Sequence, residues 1–187
     1  MSRLLIKNGA IVTVDDKLGD FAGGDILVVD DRIEAVGHNL VAGDADTIDA
    51  TGMVAIPGLV NTHHHFYQTL TRAHPKAINK ELFDWLKALY PVWSRLTPDS
   101  MRIATRLALT ELLMSGVTTT SDHHYLFPAQ LDDAMDIQVE EARKLGIRMT
   151  VTRGSMNLSE KDGGLPPDSV VQDEDRILAD CERVIGR

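Results

Sequence analysis

The sequence predicts a mixed α/β fold, in which a segment of short β-strands precedes the first three βα units of an incomplete (β/α)8 TIM barrel. Short apolar runs separated by glycine and aspartate occupy the chain up to Ile56. After Pro57-Gly58, such runs alternate with longer stretches of helical spacing. This alternation is typical of α/β proteins with a parallel sheet. We therefore divide the chain into a segment of short β-strands, residues 1–57, and a βα segment, residues 58–187.

The first segment is predicted to contain five short strands, because its apolar runs show the period and residue types of β-structure. The expected strands are Leu4–Lys7, Ala10–Val14, Asp25–Val29, Arg32–Val36 and Met53–Ile56. The pair Asp30-Asp31 lies between the third and fourth strands. Aspartate favours turns, so this pair predicts a hairpin.

The second segment is predicted to contain three strands and three long helices. The strands are expected at Leu59–Thr62, Val117–Ser121 and Ile147–Thr152. The clearest helix follows Thr97 and runs to Leu113, because Thr97 with Pro98 at the first helical position is an N-cap signal. The other helices are expected at Ala129–Leu145 and Glu174–Ile185.

Three parallel strands do not close a barrel, which typically needs about 250 residues on its own. The open edges that they leave can pair with other chains. We therefore expect the 187-residue chain to be the N-terminal part of a longer enzyme and to be inactive alone.

Composition limits the partners and the compartment. A net charge of −9 argues against a nucleic-acid partner, which requires clustered lysine and arginine. A single cysteine, Cys181, excludes an internal disulfide and suits a reducing compartment. The N-terminus lacks a signal-peptide core, and no apolar run approaches the length of a membrane span. We expect a cytoplasmic protein that binds a small molecule and no membrane.

Three consecutive histidines follow the strand Leu59–Thr62. Alternate side chains of an extended segment share a face, so His63 and His65 can converge while His64 points away. Imidazole is a common zinc ligand, and the carboxyl ends of barrel strands carry the chemistry. A catalytic zinc usually has three protein ligands, so two histidines are only part of a site. A histidine-rich polar loop is the competing interpretation.

Residues 57–65 (PGLVNTHHH) resemble the first-strand signature of the amidohydrolase superfamily. Residues 7–9 (KNG) and 52–57 (GMVAIP) are similar to the small β-sandwich that flanks the barrel in its members, so the resemblance implies that residues 1–57 are a β-sandwich segment. Within the superfamily, the chain most resembles the deaminase branch that includes guanine and 8-oxoguanine deaminases and hydroxyatrazine-type aminohydrolases. Three segments support the resemblance to this branch: 65–72 (HFYQTLTR), 118–125 (TTTSDHHY) and 153–156 (RGSM). Taken with residues 162–167 (DGGLPP), they most resemble the 8-oxoguanine deaminases.

The resemblance implies hydrolytic deamination of a purine-like heterocycle at one Zn²⁺ or Fe²⁺ ion per subunit, with His63 and His65 as two metal ligands. The ion would activate a water for attack on the ring carbon that carries the amine. The family's general acid–base glutamate lies in a later His-x-x-Glu segment, so no catalytic residue is assigned here. Asn61 stands where many members have aspartate, which favours the one-metal deaminases over the two-metal hydrolases.

Five further residues are candidates for substrate binding or for orienting a ligand. The resemblance implies that Gln68 hydrogen-bonds the substrate ring, and an amide can both donate to and accept from a purine edge. Asp122, His123 and His124 follow the second predicted strand, where one of them would line the pocket or orient a ligand. Arg153 ends the third strand and could bind a carbonyl or an anionic ring nitrogen. Polar strand ends and a structural salt bridge are the alternatives. Trp85, Tyr90 and Trp93 are expected in the core or in a lid.

Three other functions remain open at this point. A triazine aminohydrolase and a cyclic amide hydrolase belong to the same superfamily, and a noncatalytic fragment is the third alternative. For the leading interpretation, the expected partner is a small heterocyclic substrate of purine metabolism, and the full-length protein is expected to be a homo-oligomer.

Overall fold

The computed structural model describes residues 2–186, so Met1 and Arg187, the outer ends of the two predicted segments, lie outside it. The chain divides into two compact units, Met1–Gly58 and Leu59–Arg187. The content is mixed α/β, as the sequence predicts. Among residues 2–186, none of the helices has the length and apolarity that a membrane span requires. The assignment of residues 1–57 as a β-sandwich stays a prediction.

The first unit is a single five-stranded sheet. Its strands are β1 (Arg3–Ile11), β2 (Phe21–Val29), β3 (Arg32–Gly37), β4 (Asp46–Asp49) and β5 (Val54–Ala55). The order is β3-β2-β1-β4, and β5 also pairs with β1. The turn at residues 30–31 joins β2 to β3, which confirms the predicted hairpin.

The prediction of two separate strands in residues 4–14 was wrong, because β1 runs from Arg3 to Ile11 without interruption. Asn8 adopts a φ of 64°, and the register with β2 shifts between Ile6 and Gly9. Asparagine tolerates this left-handed backbone, so a bulge accommodates it inside the strand. Strand β4 was not predicted, since its residues are all exposed and carry no apolar run.

The second unit contains a three-stranded parallel sheet and four α-helices in its described part. In chain order, its elements are β6 (Leu59–Asn61), a 3₁₀ helix (Phe66–Thr71), α1 (Leu82–Trp93), α2 (Pro98–Met114), β7 (Val117–His124), α3 (Ala134–Leu145), β8 (Arg148–Arg153) and α4 (Glu174–Ile185), with two single-turn 3₁₀ helices between β8 and α4. The sheet order is β6-β7-β8. Crossover helices between parallel strands are the βα repetition that the sequence predicts.

Helix α2 begins where the cap signal predicts. The Thr97 hydroxyl accepts a hydrogen bond from the Ser100 amide at 3.2 Å, and the Ser100 hydroxyl accepts one from the Thr97 amide at 2.7 Å. This reciprocal pair satisfies amides that a helix start leaves free. The buried face carries Met101, Ala104 and Leu109. The apolar residues Ile103 and Leu107 of the same helix are exposed.

Apart from β1, three element boundaries differ from the prediction by three residues or more. Strand β2 begins at Phe21 rather than Asp25. Helix α3 begins at Ala134 rather than Ala129, because the chain first makes a turn in which the Leu131 amide donates to the Pro128 carbonyl. Strand β7 continues past Ser121 to His124, since its pairing with β8 extends to the His124–Arg153 pair. Polar residues at a strand end therefore do not mark where β7 stops. The predicted core residues Tyr90 and Trp93 are buried.

Candidate metal centre

The candidate site lies at the carboxyl ends of the three parallel strands. Asn61 at the end of β6 pairs with Thr120, and Arg153 at the end of β8 pairs with His124. Because the strands are parallel, the loops that follow them leave the same edge of the sheet. This edge brings the histidine segment, the end of β7 and the end of β8 together.

The segment after β6 turns His63 and His65 toward each other. The Asn61 side-chain oxygen accepts a hydrogen bond from the His63 amide at 2.9 Å, which fixes the turn. The ring centroids of His63 and His65 lie 5.1 Å apart with an interplanar angle of 85°. His64 lies between them and packs its ring against Phe66.

The hydrogen bonding of His65 leaves one ring nitrogen free for a ligand. Its Nδ1 lies 2.7 Å from the backbone carbonyl oxygen of His123. A carbonyl can only accept, so Nδ1 carries the proton and Nε2 keeps its lone pair. Metal-binding histidines in proteins characteristically donate their second nitrogen in this way. Burial also lowers the pKa of His65, which favours the neutral, ligating form.

An open cleft of about 430 Å³ adjoins the histidines. Gln68 and Trp85 also line it, so Trp85 faces the cleft rather than the centre of the core. The Gln68 amide donates to the Tyr67 hydroxyl at 3.3 Å, and this contact orients the amide. The volume suits a small ligand, and the cleft is lined by His63, His65 and Gln68 together.

The described residues offer two candidate metal ligands rather than a full set. In residues 2–186, no three histidine, cysteine, aspartate or glutamate side chains are grouped closely enough to hold a metal ion. The fit of His63 and His65 to a metal rests on the free Nε2 of His65 and on the convergence of the two rings. A catalytic zinc would need at least one more protein ligand from outside the described residues.

Consecutive residues at the end of β7 face opposite sides of the sheet. Asp122 is fully buried, whereas His123 is exposed and its ring lies 5.5 Å from that of His65. The Asp122 carboxylate accepts hydrogen bonds from the Phe66 amide at 2.6 Å and from the Gln138 side chain. Burial raises the pKa of Asp122 to about 7, against these two hydrogen bonds. Substrate contact by either residue stays a prediction, and only His123 has an exposed side chain in this structure.

Arg153 is occupied by internal partners. Its guanidinium donates to Asp180 at 2.9 Å, to Gln172 at 2.5 Å and to the Gly154 carbonyl at 2.7 Å. The side chain is 4% exposed and lies 4.1 Å from the centre of the Phe127 ring. The structural salt bridge that competes with a substrate role is therefore present. A direct contact of Arg153 with substrate stays a prediction.

His124, the third candidate after the second predicted strand, is a buried histidine in this structure. It is fully buried, and its ring packs edge-on against Tyr67 and Phe127. Burial lowers its pKa to about 3, with a smaller opposing effect from the backbone of Leu126. The alternation along β7 places it on the same face as Asp122, which was the available signal.

This burial predicts a pH-dependent stability. The pKa of His124 lies below its ordinary value of 6.5, so the unfolded chain takes up a proton that the folded chain does not. The stability that neutral His124 provides is complete above pH 6.5 and is lost as the pH falls toward 3. Between pH 7 and pH 5, the unfolding free energy of the wild type should fall by roughly 2 kcal/mol relative to His124→Leu.

Urea unfolding of both proteins at the two pH values measures this difference. The comparison with His124→Leu is needed because Asp122 acts in the opposite direction. The pKa of Asp122 is raised, so its contribution to the free energy of unfolding is complete below the ordinary pKa of 3.8. That contribution is lost as the pH rises through about 7. A difference between wild type and variant that does not change with pH would contradict the prediction.

Sequence comparisons relate the chain to one family and to several relatives. A sequence model described as the amidohydrolase family matches residues 54–185. An 8-oxoguanine deaminase from Pseudomonas aeruginosa is 53% identical over the whole of this chain, which covers 42% of that relative. A hydroxydechloroatrazine ethylaminohydrolase from a Pseudomonas species is 33% identical over 90% of this chain, which covers 39% of the relative.

The structural comparison agrees. The crystal structure of atrazine chlorohydrolase from Arthrobacter aurescens complexed with zinc matches 98% of this chain, with a TM-score of 0.90 and 34% identity. The chain covers 43% of that structure and about two fifths of the length of the two relatives. These matches confirm the predicted α/β fold class of a partial TIM barrel.

Proposed function

The chain belongs to the amidohydrolase family, and from this premise we propose that it forms the N-terminal part of a metal-dependent aminohydrolase. The proposed reaction is hydrolytic deamination of a purine-like heterocycle of the 8-oxoguanine or guanine type, with release of ammonia. The observation that carries the proposal is the pair His63 and His65, whose rings converge at a cleft while His65 keeps Nε2 free. The 53% identity to an 8-oxoguanine deaminase supports the substrate class.

His63 and His65 would hold one Zn²⁺ or Fe²⁺ ion per subunit, together with ligands from outside these residues. The zinc in the related atrazine chlorohydrolase structure supports a metal of this kind. When bound, the metal would supply an activated water for attack on the ring carbon that bears the amine. Asn61 holds the turn before His63, and the His123 carbonyl holds the proton of His65 on Nδ1.

The chain's polar residues would orient the substrate. Gln68 offers a donor and an acceptor to the edge of a heterocycle, and Tyr67 holds its amide in place. His123 adds an exposed imidazole beside His65. In this structure Asp122 and Arg153 make hydrogen bonds inside the protein, so their effect on the substrate would be indirect. The group that protonates the departing amine is assigned outside these residues.

The test is ammonia release by the complete product of the reading frame that contains these residues, which we call the complete gene product. Purified protein is incubated separately with 8-oxoguanine, guanine and a hydroxytriazine. We expect release from a purine to be fastest. With the triazine the assay measures the amine that leaves, which is an alkylamine or ammonia according to the ring substituent. Amine release only from the triazine would favour the second candidate, a triazine aminohydrolase, for which the 33% identity to a hydroxydechloroatrazine ethylaminohydrolase is the supporting observation.

Replacing Gln68 with alanine in the complete gene product should weaken purine turnover and leave the metal content unchanged. The lost hydrogen bonds go to the substrate ring, and leaving a buried polar group unpaired costs about 1–3 kcal/mol. We therefore expect kcat/KM to fall by roughly five- to a hundredfold. The matched control is Gln130→Ala, because Gln130 donates to the Ser94 and Leu96 carbonyls and does not line the cleft. Equal kcat/KM in Gln68→Ala and wild type would make Gln68 a bystander.

We also propose a cytoplasmic, homo-oligomeric enzyme of purine metabolism. The single cysteine in the sequence suits a reducing compartment. The purine substrate named for the 53% identical relative supports the metabolic role. Fractionation of cells and light scattering of the complete gene product test the compartment and the oligomeric state.

A further inference from the structure

A buried carboxylate lies directly behind the histidine segment. Asp122 has no exposed surface, and one of its oxygens accepts a hydrogen bond from the Phe66 amide at 2.6 Å. Phe66 is the residue that follows His65 and begins the 3₁₀ helix. The second carboxylate oxygen accepts a hydrogen bond from the Gln138 side chain of α3, and Gln138 is also fully buried.

We propose that Asp122 and Gln138 are positioning residues that set the orientation of the metal ligand His65. The inference rests on the proposed function, since it treats His65 as a ligand. Asp122 holds the backbone on the C-terminal side of His65, and the neighbouring His123 carbonyl holds its ring at Nδ1. Two consecutive residues of β7 thus fix both the main chain and the ring of one ligand.

Strand β7 makes a further hydrogen bond to the histidine segment. The His123 amide donates to the His64 carbonyl at 2.9 Å, so β7 also holds the backbone on the N-terminal side of His65. Gln138 restrains rotation of the Asp122 carboxylate, because it is buried and lies on α3, which packs against β8 and α2. A buried carboxylate held on both oxygens has one available rotamer, which is what a positioning group requires.

The experiment compares zinc affinity and Co²⁺ spectra of four variants of the complete gene product. Asp122→Ala should weaken zinc affinity by about 10- to 100-fold, the usual effect of losing a group that orients a metal ligand. Zinc affinity is measured by competition with a chromophoric chelator. The visible absorption of the Co²⁺-substituted protein should also shift, because the His65 ring changes its orientation.

Asp122→Asn is the conservative variant and should restore nearly wild-type affinity. The asparagine oxygen can accept from the Phe66 amide, and its NH₂ can donate to Gln138 after the Gln138 amide turns over. Gln138 Oε1 has no hydrogen-bond partner among residues 2–186, so this reversal breaks no existing contact of that oxygen. Gln138→Leu should cause a smaller loss of affinity than Asp122→Ala, and it carries the test if Asp122→Ala does not fold.

The matched control is Glu141→Ala. Glu141 is another buried acid on α3, with a side chain 1% exposed, but it pairs with Arg102 and Arg106 of α2. Its loss should lower the melting temperature without changing zinc affinity or the Co²⁺ spectrum. Equal losses of zinc affinity in Asp122→Ala and Glu141→Ala would overturn the positioning role, because general destabilisation would then explain both.

Hydrogen exchange separates this inference from the proposed function. In metal-free protein, peptides covering residues 63–68 should exchange faster in Asp122→Ala than in Glu141→Ala or wild type. Wild-type protein that binds no metal would overturn the proposed function alone, and the exchange rates would still judge the positioning role. Unchanged exchange at residues 63–68 in Asp122→Ala would overturn the inference even where metal binds normally.

Discussion

Alanine in place of His63 or His65 should remove both the bound metal and the turnover of the complete gene product. The two rings lie 5.1 Å apart, and no third histidine, cysteine, aspartate or glutamate of residues 2–186 forms a metal-holding group with them, so each proposed ligand would lack a replacement from these residues. A metal that loses one of two imidazoles from this segment is held too weakly to survive purification. We expect metal content near zero and ammonia release equal to that of the no-enzyme control.

His64→Ala is the control for this prediction. His64 shares the loop, but its ring packs on Phe66, and its contact with β7 uses the backbone carbonyl, which alanine retains. The metal content of the His64→Ala variant, measured by atomic emission, should stay close to the wild-type value. A double variant His63→Ala/His65→Ala that keeps the wild-type metal content would show that the ligands lie elsewhere.

Purified residues 1–187 should release no ammonia and should tend to aggregate. In the described residues, β6 and β8 each pair only with β7, so both outer edges of this sheet lack a partner strand. Open edges of a parallel sheet present free backbone donors and acceptors to other chains. Apolar side chains add to this effect, since Leu59 is 50% exposed and Val60 is 62% exposed.

The activity part of this prediction has a separate cause. Two imidazoles hold a metal only loosely, and no residue of the chain is assigned to protonate the amine. The assay uses 8-oxoguanine or guanine with added zinc, and size-exclusion chromatography reports the aggregation. A monodisperse, cooperatively melting 187-residue protein that releases ammonia would contradict both parts.

The sequence predicted the elements whose signals are local. The cap at Thr97 located α2, and Asp30-Asp31 located the hairpin, because both depend on side chains adjacent to the backbone groups that they satisfy. The bulge at Asn8 could not be predicted in the same way. Its register depends on pairing with β2, and its amide donates to Asp25, seventeen residues along the chain.

The candidate site shows the same division. Alternation within an extended segment was enough to predict that His63 and His65 converge, and the ring geometry agrees. The roles of Asp122 and Arg153 were harder to predict, because burial and partners decide them. Gln138 comes from α3 and Asp180 from α4, so the contacts that occupy these two side chains are tertiary. Applying alternation to β7 would have separated exposed His123 from its buried neighbours.

The most direct test of the account is ammonia release from 8-oxoguanine by the complete gene product before chelation, after chelation and after addition of zinc or ferrous iron. Chelation removes only the metal, so the measurement asks whether the convergent histidines serve a metal-dependent reaction. We predict that release stops after chelation and returns when the metal is added. Release that continues unchanged in metal-free protein would contradict the account.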